Sequence, residues 1–351
     1  MATIAGSQFS ATASAIAYPG GVNVVETSTG TGLPAAIPTD FNLEVYTGPA
    51  AGAPTTPFSG YQGLAILTPG GYSIQLLGSG YAVTDDGSGG AMLSTGSTAT
   101  GDTITGGGGF DNLILNGTGN TANGGIGGGY IEVDGSGNTV NTGPGPATVN
   151  VFSDHDTVNV GSGNDNIFIG GNNAVVTGGS GSDTITATGN NETIAAGSGP
   201  ELINASGTGT SLTAGSGNDT LNVFGAGDTI TGGSGTDVLG AYADNVQVFG
   251  GTGPSTVFSS GTGDTVTAGS GNMTVYAADP NANLTFVDNG SALYDDTLVG
   301  FGAGGTDTIK LAAGDSVATS TVSNGNTQVV LSDGSKILLV GVTDIIGLFH
   351  H

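Results

Sequence analysis

Aliphatic residues recur at every eighteenth position along much of this chain, in two interleaved series. The first series is Leu113, Ile131, Val149, Ile167, Ile185, Ile203, Leu221, Leu239, Val257 and Val275. The second series is Ile104, Ala122, Val140, Val158, Val176, Ile194, Leu212, Ile230, Val248, Val266 and Leu284. A fixed period of this length is typical of a solenoid, in which each turn of the chain repeats and covers the one before. Because stacking consumes the core of a solenoid, function is expected on its outer faces, in its loops or at its ends.

Each repeat divides into two unlike halves, here called half A and half B. Half A reads G-x-G-x-D-x-U-x, where U belongs to the first series, and half B reads G-x-G-D-T-U-T around the second series. Side chains alternate along a strand, so U points inward and its two neighbours point outward. The pattern predicts an all-β fold, a parallel β-roll or β-solenoid with 18-residue turns in which each half supplies one short strand. A sustained 3.6-residue period is missing, so almost no helix is expected.

The limits of the period define three zones. Residues 1–96 lack the period and are expected to form a small β-rich or extended module for capping or assembly. Residues 97–286 hold about ten turns of the repeat. Residues 287–351 are expected to form a β-rich cap, in which TQVVL and KILLV flank a tight turn at 332–335 that contains Asp-Gly, a strong hairpin signal.

The chain is strongly acidic, with 28 Asp and Glu residues, two basic residues and a net charge of −26. This charge disfavours nucleic acid, whose phosphates need basic partners, and it disfavours anionic membrane surfaces. Self-repulsion of this size also predicts that bound cations stabilise the compact state. No apolar stretch approaches the roughly 18 residues of a membrane span, and the N-terminus lacks the features of a secretory signal. We therefore expect neither nucleic-acid binding nor membrane insertion.

The glycine pairs and acids of half A form loops whose oxygen atoms suit calcium. Ca²⁺ takes about six to eight oxygen ligands, which glycine-rich loops supply as backbone carbonyls and acids supply as carboxylates. A site between stacked loops needs acids in consecutive turns, and such acids occur in the middle of the repeat. The expected ligands are Asp165, Asp183, Glu201, Asp219 and Asp237, with the loop glycines Gly163, Gly181, Gly199, Gly217 and Gly235.

Three half A segments, at 178–186, 214–222 and 232–240, resemble the calcium-binding nonapeptide G-G-x-G-x-D-x-U-x of the RTX family. The C-terminal zone, from Leu298 to Leu311 and on through the hairpin, is similar to the cap of RTX proteins exported by type I secretion. In that family the export signal is C-terminal and is not cleaved. The resemblance, which covers about residues 100–351, therefore implies a calcium-binding protein that is secreted, extracellular or on the cell surface.

Two alternative interpretations stay open. The half A acids could simply form hydrogen-bonded Asx-type turns, as is expected for the isolated half B acids Asp102, Asp156, Asp228 and Asp264. The outward Thr and Asn residues of half B resemble the ladder of ice-binding proteins of RTX-like fold, although Thr is also a good solvent-facing strand residue.

The sequence contains none of the catalytic patterns H-E-x-x-H, G-x-S-x-G or the P-loop, and it has no Arg to grip a substrate. We therefore do not expect an enzyme. Outward apolar residues such as Phe168, Leu202, Phe258 and Tyr276 indicate a contact surface for another chain. The expected function is that of a calcium-stabilised structural protein that forms a homo-oligomer or polymer as a filament, surface layer or biofilm matrix. An ice-binding or adhesion module, with a cell-surface glycan as a further open partner, is the alternative.

Overall fold

The computed structural model describes four early strands and residues 79–85, 88–279, 282–290, 295–302 and 306–350. The chain forms two compact units, unit 1 (Met1–Gly171) and unit 2 (Asn172–His351). The described residues contain strands and turns but no helix, hence no helix long and apolar enough to cross a membrane. The all-β prediction is confirmed.

Unit 1 is a parallel β-solenoid built from a wide and a narrow sheet. Its described strands are β1 (Val24–Thr27), β2 (Leu43–Tyr46), β3 (Gly63–Ile66), β4 (Tyr72–Leu76), β5 (Ala82–Asp85), β6 (Ala91–Thr95), β7 (Thr103–Thr105), β8 (Asp111–Leu115), β9 (Thr121–Asn123), β10 (Gly129–Val133), β11 (Thr139–Asn141), β12 (Ala147–Val151), β13 (Thr157–Asn159) and β14 (Asn166–Ile169). The wide sheet runs β4-β6-β8-β10-β12-β14. The narrow sheet runs β1-β2-β3-β5-β7-β9-β11-β13.

Unit 2 has the same two-sheet construction and ends in antiparallel strands. Its described strands are β15 (Val175–Thr177), β16 (Thr184–Ala187), β17 (Thr193–Ala195), β18 (Leu202–Ala205), β19 (Ser211–Thr213), β20 (Thr220–Val223), β21 (Thr229–Thr231), β22 (Asp237–Ala241), β23 (Gln247–Phe249), β24 (Ser255–Ser259), β25 (Thr265–Thr267), β26 (Met273–Ala277), β27 (Thr285–Val287), β28 (Asp295–Val299), β29 (Thr308–Lys310), β30 (Val317–Ser323), β31 (Asn326–Leu331), β32 (Lys336–Val340) and β33 (Phe349–His350). The wide sheet runs β16-β18-β20-β22-β24-β26-β28-β32-β31-β30. The narrow sheet runs β15-β17-β19-β21-β23-β25-β27-β29-β33.

The two aliphatic series form the core of each solenoid. Strand register places successive members opposite one another: Leu113 pairs with Ile131 in unit 1, and Leu221 pairs with Leu239 in unit 2. Members of both series are essentially inaccessible to solvent, whereas their strand neighbours are partly or fully exposed. The 18-residue turn and the inward position of U are therefore confirmed.

The last member assigned to the second series is wrong. Val266 pairs with Phe286 and not with Leu284, because this turn has 20 residues. Leu284 is buried, but it occupies the position before the strand that Asp264 occupies one turn earlier. Because this position also points inward, an aliphatic residue there is easily mistaken in the sequence for a member of the second series.

Parallel pairing also continues outside the zone with the 18-residue period. In unit 1, Leu43 pairs with Gly63, Gly63 with Ala82 and Ala82 with Thr103, in steps of 20, 19 and 21 residues. Strands within residues 1–96 thus belong to the same two sheets, and their unequal loops hide the period. Apart from β1 and β2, residues 1–60 lie outside the described residues, so the capping or assembly role expected of this zone stays a prediction.

The C-terminal hairpin is confirmed: β31 and β32 are antiparallel, with Val330 opposite Lys336. Strand β30 adds to the other side of β31 through a two-residue turn at Asn324 and Gly325, which have φ angles of 52° and 81°. Lys336 also forms an ion pair with Asp295 across β32 and β28, 3.5 Å apart.

Candidate functional site: two columns of buried carboxylates

The loop before each wide-sheet strand, here called the A loop, contains the predicted calcium ligands. Its acid lies at the start of the strand or just before it, and is at least 97% buried at every predicted position, with Asp165 and Glu201 at 3% exposure the most accessible. Asp165 belongs to unit 1, whereas Asp183, Glu201, Asp219 and Asp237 occupy equivalent positions in successive turns of unit 2. The structure thus stacks four of the five predicted acids in one column.

Two carboxylates in this column, those of Asp219 and Asp237, bind backbone N–H groups of their own loop and of the preceding turn. Asp219 accepts hydrogen bonds from the N–H of Gly215 at 2.9 Å and of Glu201 at 3.0 Å. Asp237 repeats the arrangement with the N–H of Gly233 at 2.7 Å and of Asp219 at 3.1 Å. The acid therefore closes its loop and joins it to the turn before.

Asp165 in unit 1 follows a variant of this scheme. Its Oδ1 accepts the Ala147 N–H at 2.6 Å, and its Oδ2 accepts the hydroxyl of Thr142 at 2.6 Å. The Thr142 hydroxyl oxygen in turn accepts the Gly161 N–H at 2.8 Å. A threonine thus stands between this carboxylate and the glycine N–H that acids of unit 2 bind directly.

Glu201 is the exception in the column. Its Oε1 accepts the Gly197 N–H at 3.2 Å, but its buried Oε2 has no hydrogen-bond partner among the described residues. Burial raises the pKa of Glu201 to about 8, and the neighbouring carboxylates of Asp219 and Asp183 add to the rise. The middle of the column therefore favours a proton, or another positive charge, at Glu201.

The predicted loop glycines stack on one another at very short range. A Cβ added to Gly199, Gly217 or Gly235 would lie 1.6–1.8 Å from the carbonyl oxygen of the glycine one turn earlier. In unit 1, a Cβ on Gly163 would lie 2.4 Å from the Gly145 carbonyl oxygen. Glycine is thus required here because successive backbones touch, and no side chain fits between them.

As folded, the A loops do not fit a calcium ion. The carbonyl oxygens of Gly197 and Gly215 accept N–H groups of Ser216 and Ser234, at 3.1 and 3.0 Å. The carboxylates of Asp219 and Asp237 are occupied by N–H donors, and nowhere in the described residues do three His, Asp or Glu side chains gather closely enough to hold a metal. Because Ca²⁺ needs about six to eight oxygen ligands, binding would require these N–H···O bonds to open. Calcium binding stays a prediction.

The loop before each narrow-sheet strand, here called the B loop, has a different backbone. The residue two before the strand has a positive φ in turn after turn, and an inward, buried residue follows it. In Gly227, where φ is +75°, an added Cβ would meet no atom within 4 Å. Before β7 to β27, the positive-φ residues are Gly101, Gly119, Gly137 and His155 in unit 1, and Asn173, Asn191, Gly209, Gly227, Asn245, Gly263 and Asn283 in unit 2.

In unit 1, acids and amides of the B loops form an unbroken hydrogen-bonded column. The backbone N–H of Asp102 binds Asn120 Oδ1, that of Asn120 binds Asn138 Oδ1 and that of Asn138 binds Asp156 Oδ1, at 2.7–2.9 Å. Asn120 also donates its Nδ2 to the Ala99 carbonyl at 3.3 Å. The sequence interpretation of the half B acids as isolated missed these amides, whose signal is an Asn directly before Thr-U.

In unit 2, acids of the B loops occur in every second turn. Glu192, Asp228, Asp264 and Asp307 accept the backbone N–H of the equivalent residue one turn earlier, at 2.7–3.0 Å. Those donor residues are Ala174, Thr210, Val246 and Leu284, which carry no charge. Because the donor in each bond is a backbone N–H, the donor residue needs no polar side chain, and the alternation keeps like charges apart.

Burial is the main influence on the B-loop acids. It raises the pKa of Asp228 to about 6, although the N–H groups of Thr210, Gly225 and Gly209 stabilise the charged form. Burial likewise raises the pKa of Asp156 to about 6, against hydrogen bonds from Ser153 and Asn138. These acids therefore hold protons more tightly in the folded chain than in the unfolded one.

Comparison of the chain with family models, with curated proteins and with solved structures finds no match to any of them.

Proposed function

We propose that this protein is a structural scaffold that assembles with copies of itself, as a filament, surface layer or biofilm matrix outside the cell. The observation that supports this best is a group of exposed apolar side chains on wide-sheet strands of unit 2 or directly after them. There Phe224 is 52% exposed and Tyr242 is 42% exposed, with Leu202 and Tyr276 also open to solvent. Clustered exposed apolar side chains of this size usually mark a contact surface.

Rings in this region form two stacked pairs in successive turns. Phe224 and Tyr242 have ring centroids 5.2 Å apart, and Phe258 and Tyr276 have centroids 5.1 Å apart. The ring of Tyr242 covers Gly240, whose Cβ would lie 2.4 Å from it. Because the rings in each pair stack face to face, their edges are the parts left to contact a partner, and ring edges can pack against side chains of another protein surface.

Charge sets the conditions for such assembly. Each copy has a net charge of −26, so two copies repel one another at low ionic strength. Screening within about 10 Å at 0.1 M salt reduces this repulsion. Association should therefore increase with ionic strength.

Light scattering as a function of protein concentration and salt tests the proposal. We expect the intact chain to associate, and the double variant Phe224→Ser/Tyr242→Ser to associate at least about tenfold more weakly. Phe249→Ser is a matched control, because this aromatic residue is also exposed but lies on the narrow sheet. An intact protein that stays monodisperse at high concentration and physiological or higher salt contradicts the proposal.

Calcium enters this proposal as a prediction of the sequence. The stacked acids supply negative charge and Glu201 supplies an oxygen without a hydrogen-bond partner among the described residues, while a proton on Glu201 and the N–H···O bonds of the loops oppose binding. If calcium stabilises the chain, EDTA should reduce the β-sheet signal in circular dichroism and lower the melting temperature. Unchanged spectra and melting would show that the hydrogen bonds suffice.

Export through the C-terminal zone is the remaining part of the proposal. We expect removal of residues 297–351 to retain the protein inside the producing cell, since this zone resembles the cap that carries the export signal. Normal secretion of the truncated chain would contradict an export role for this zone. Because the truncation also cuts β28 and removes β29–β33, its folding should be checked by circular dichroism.

One observation favours the ice-binding alternative. In unit 1, strand register aligns Thr103, Thr121, Thr139 and Thr157 into an unbroken outward column with a spacing of about 4.8 Å. If ice binds there, Thr139→Leu should abolish thermal hysteresis, whereas Thr229→Leu in unit 2, where Gln247 interrupts the column, should preserve it. Absence of hysteresis in the intact protein excludes this function.

A further inference from the structure

Strand β30 stands out from every other strand of the wide sheet in unit 2. It has seven residues, and the six from Ala318 to Ser323 are exposed, so neither of its faces contributes to the core. Val322 alone is 54% exposed. Among the described residues, β30 pairs with β31 on one side only. It therefore forms the outer edge of the sheet.

The register of the hairpin shows which backbone groups point away from β31. Ser323 and Asn326 flank the two-residue turn and form a hydrogen-bonded pair, as is usual for such turns. Hydrogen-bonded and non-hydrogen-bonded pairs then alternate, so Thr321 bonds to β31. Ser320 and Val322 belong to the intervening pairs, and their N–H and C=O groups face outward.

The residues of this edge favour pairing with a strand of another chain. Sheet edges in natural proteins are usually blocked by charged side chains, prolines or bulges. Strand β30, VATSTVS, has neither a charged residue nor a proline. Its register shift lies between Val317 and Thr319 and leaves residues 319–323 regular. An uncharged strand on a chain of net charge −26 is also where two copies can approach with less repulsion.

We propose that β30 is a seam between two copies of this chain, which pair antiparallel about Thr321. In this register Thr321 of one copy lies opposite Thr321 of the other, and Ser320 of each lies opposite Val322 of its partner. The outward N–H and C=O groups of Ser320 and Val322 then all find partners, and the bulge is left out. The inference rests on the proposed self-assembly and names one of its contacts.

A second copy is the expected occupant because the pairing is self-complementary in both hydrogen bonding and side chains. Thr319 of one copy lies opposite Ser323 of the other, so small hydroxyl side chains meet along one face. On the other face Ser320 meets Val322. No charged group is buried, and no side chain larger than Val has to be accommodated.

Cysteine cross-linking tests the register directly, because the chain has no native Cys. Thr321→Cys places two sulfurs at a non-hydrogen-bonded antiparallel pair, whose Cα atoms lie about 4.5 Å apart, close enough for a disulfide. Thr319→Cys is the matched control: Thr319 lies on the same face and is also exposed, but in this register it is offset from Thr319 of the second copy by four residues, about 13 Å. We expect oxidation to give a covalent dimer with Thr321→Cys and not with Thr319→Cys.

Backbone blocking tests the hydrogen bonds. Val322→Pro removes an outward N–H without removing a bond to β31, as proline is tolerated where the N–H of an edge strand faces solvent. We expect it to weaken association at least about tenfold, while Val322→Thr, which keeps the N–H, associates normally. If Val322→Pro fails to fold, amide exchange of the intact chain decides instead: the Ser320 and Val322 amides should gain protection on assembly, and the Thr321 amide should be protected throughout.

The outcomes separate this inference from the proposed function. If the intact chain never associates, both fail. If it associates but Thr321→Cys gives no dimer and the Ser320 and Val322 amides gain no protection, only the seam is wrong. Equal cross-linking of both cysteine variants, or cross-linking of Thr321→Cys to a different protein in place of itself, would also overturn it.

Discussion

The A loops and the B loops of unit 2 both join successive turns through a buried carboxylate, but they space these carboxylates differently along the column. Both place an inward carboxylate where it accepts the N–H of the preceding turn. The A column repeats an acid in successive turns, whereas the B column alternates acids with uncharged residues. At about 4.8 Å, two charges in an environment of effective dielectric constant about 20 repel by roughly 3 kcal/mol. Consecutive acids therefore need a neutralising proton or cation, and alternating acids do not.

The A loops and the B loops also differ in the reason why they need glycine. In the A loop, Gly215 is needed because its hydrogen atom faces the Gly197 carbonyl oxygen, which an added Cβ would approach to 1.6 Å. In the B loop, Gly227 is needed for its positive φ and faces open space. Contact between backbones tolerates no replacement, whereas a positive φ tolerates Asn or His, which occur at equivalent positions.

The largest expected effect on stability tests this difference between the A-loop and B-loop glycines. Gly215→Ala forces two stacked backbones apart and should lower the free energy of unfolding by about 3–5 kcal/mol. Gly227→Ala adds only the strain of a left-handed backbone, about 1–2 kcal/mol. Urea denaturation of both variants measures the difference. Equal losses would mean that the A loops relax as readily as the B loops.

A second comparison removes one acid from each column. Asp219→Ala leaves the N–H groups of Gly215 and Glu201 without an acceptor. Each buried N–H without an acceptor costs about 1–3 kcal/mol, and the loss of repulsion between Asp219 and Glu201 offsets part of that cost. The variant should therefore lower the free energy of unfolding by about 2–4 kcal/mol. If calcium binds the A loops, the same variant should remove about two ions, since its acid serves the sites on both sides. Asp228→Ala, which removes the acceptor of the Thr210 and Gly225 N–H groups, should cost a similar amount, about 2–4 kcal/mol, and leave the stoichiometry unchanged. Titration calorimetry measures the ions, and equal losses in both variants would show that calcium does not distinguish the loops.

The pH dependence of stability sharpens the comparison further. The pKa of Asp228 is raised to about 6 in the folded chain, so the folded state binds its proton more tightly than the unfolded state. This contribution is complete below the ordinary pKa of 3.8 and is lost as the pH rises through about 6. Titration of Asp228 should therefore lower the free energy of unfolding by about 1–2 kcal/mol between about pH 5 and pH 7.5. Asp228→Asn should lack this part of the decrease, as measured by urea denaturation at each pH.

A surface acid is the control for this titration. The pKa of Asp244 is lowered by the backbone N–H and the hydroxyl of Thr262, and its contribution has the opposite sign. Asp244→Asn should leave the fall in stability between these pH values in place. If both variants flatten the pH profile equally, the loss of any acid is responsible and burial of Asp228 is not.

The smallest expected effect replaces a B-loop glycine with the residue that nature uses elsewhere in the column. Gly227→Asn should change the free energy of unfolding by less than about 0.5 kcal/mol, because Asn tolerates a positive φ. Its melting temperature should match that of the unmodified chain within about 2 °C. A large loss would show that Gly227 has a contact that its open surroundings do not reveal.

The sequence predicts the core of this fold well, because a fixed 18-residue step with an aliphatic residue needs no knowledge of the loops. It fails where another inward position becomes apolar, as at Leu284, and where loops vary in length, as between Leu43 and Thr103. The carboxylate geometry could not be predicted, since the N–H donors of Asp219 come from another turn as well as from its own loop. Strand β30 escaped notice because both of its faces are exposed and give no alternating pattern.

The alternation of acids in the B column of unit 2 sets the smallest length by which the chain can be edited. Deleting one turn would place either two acids in adjacent turns, where they repel, or two uncharged residues, where one backbone N–H loses its carboxylate acceptor. Deleting 36 residues, the interval from Glu192 to Asp228, restores the order. Unit 2 is therefore modular in pairs of turns, and duplication or shortening during evolution or engineering should be tolerated best in steps of two.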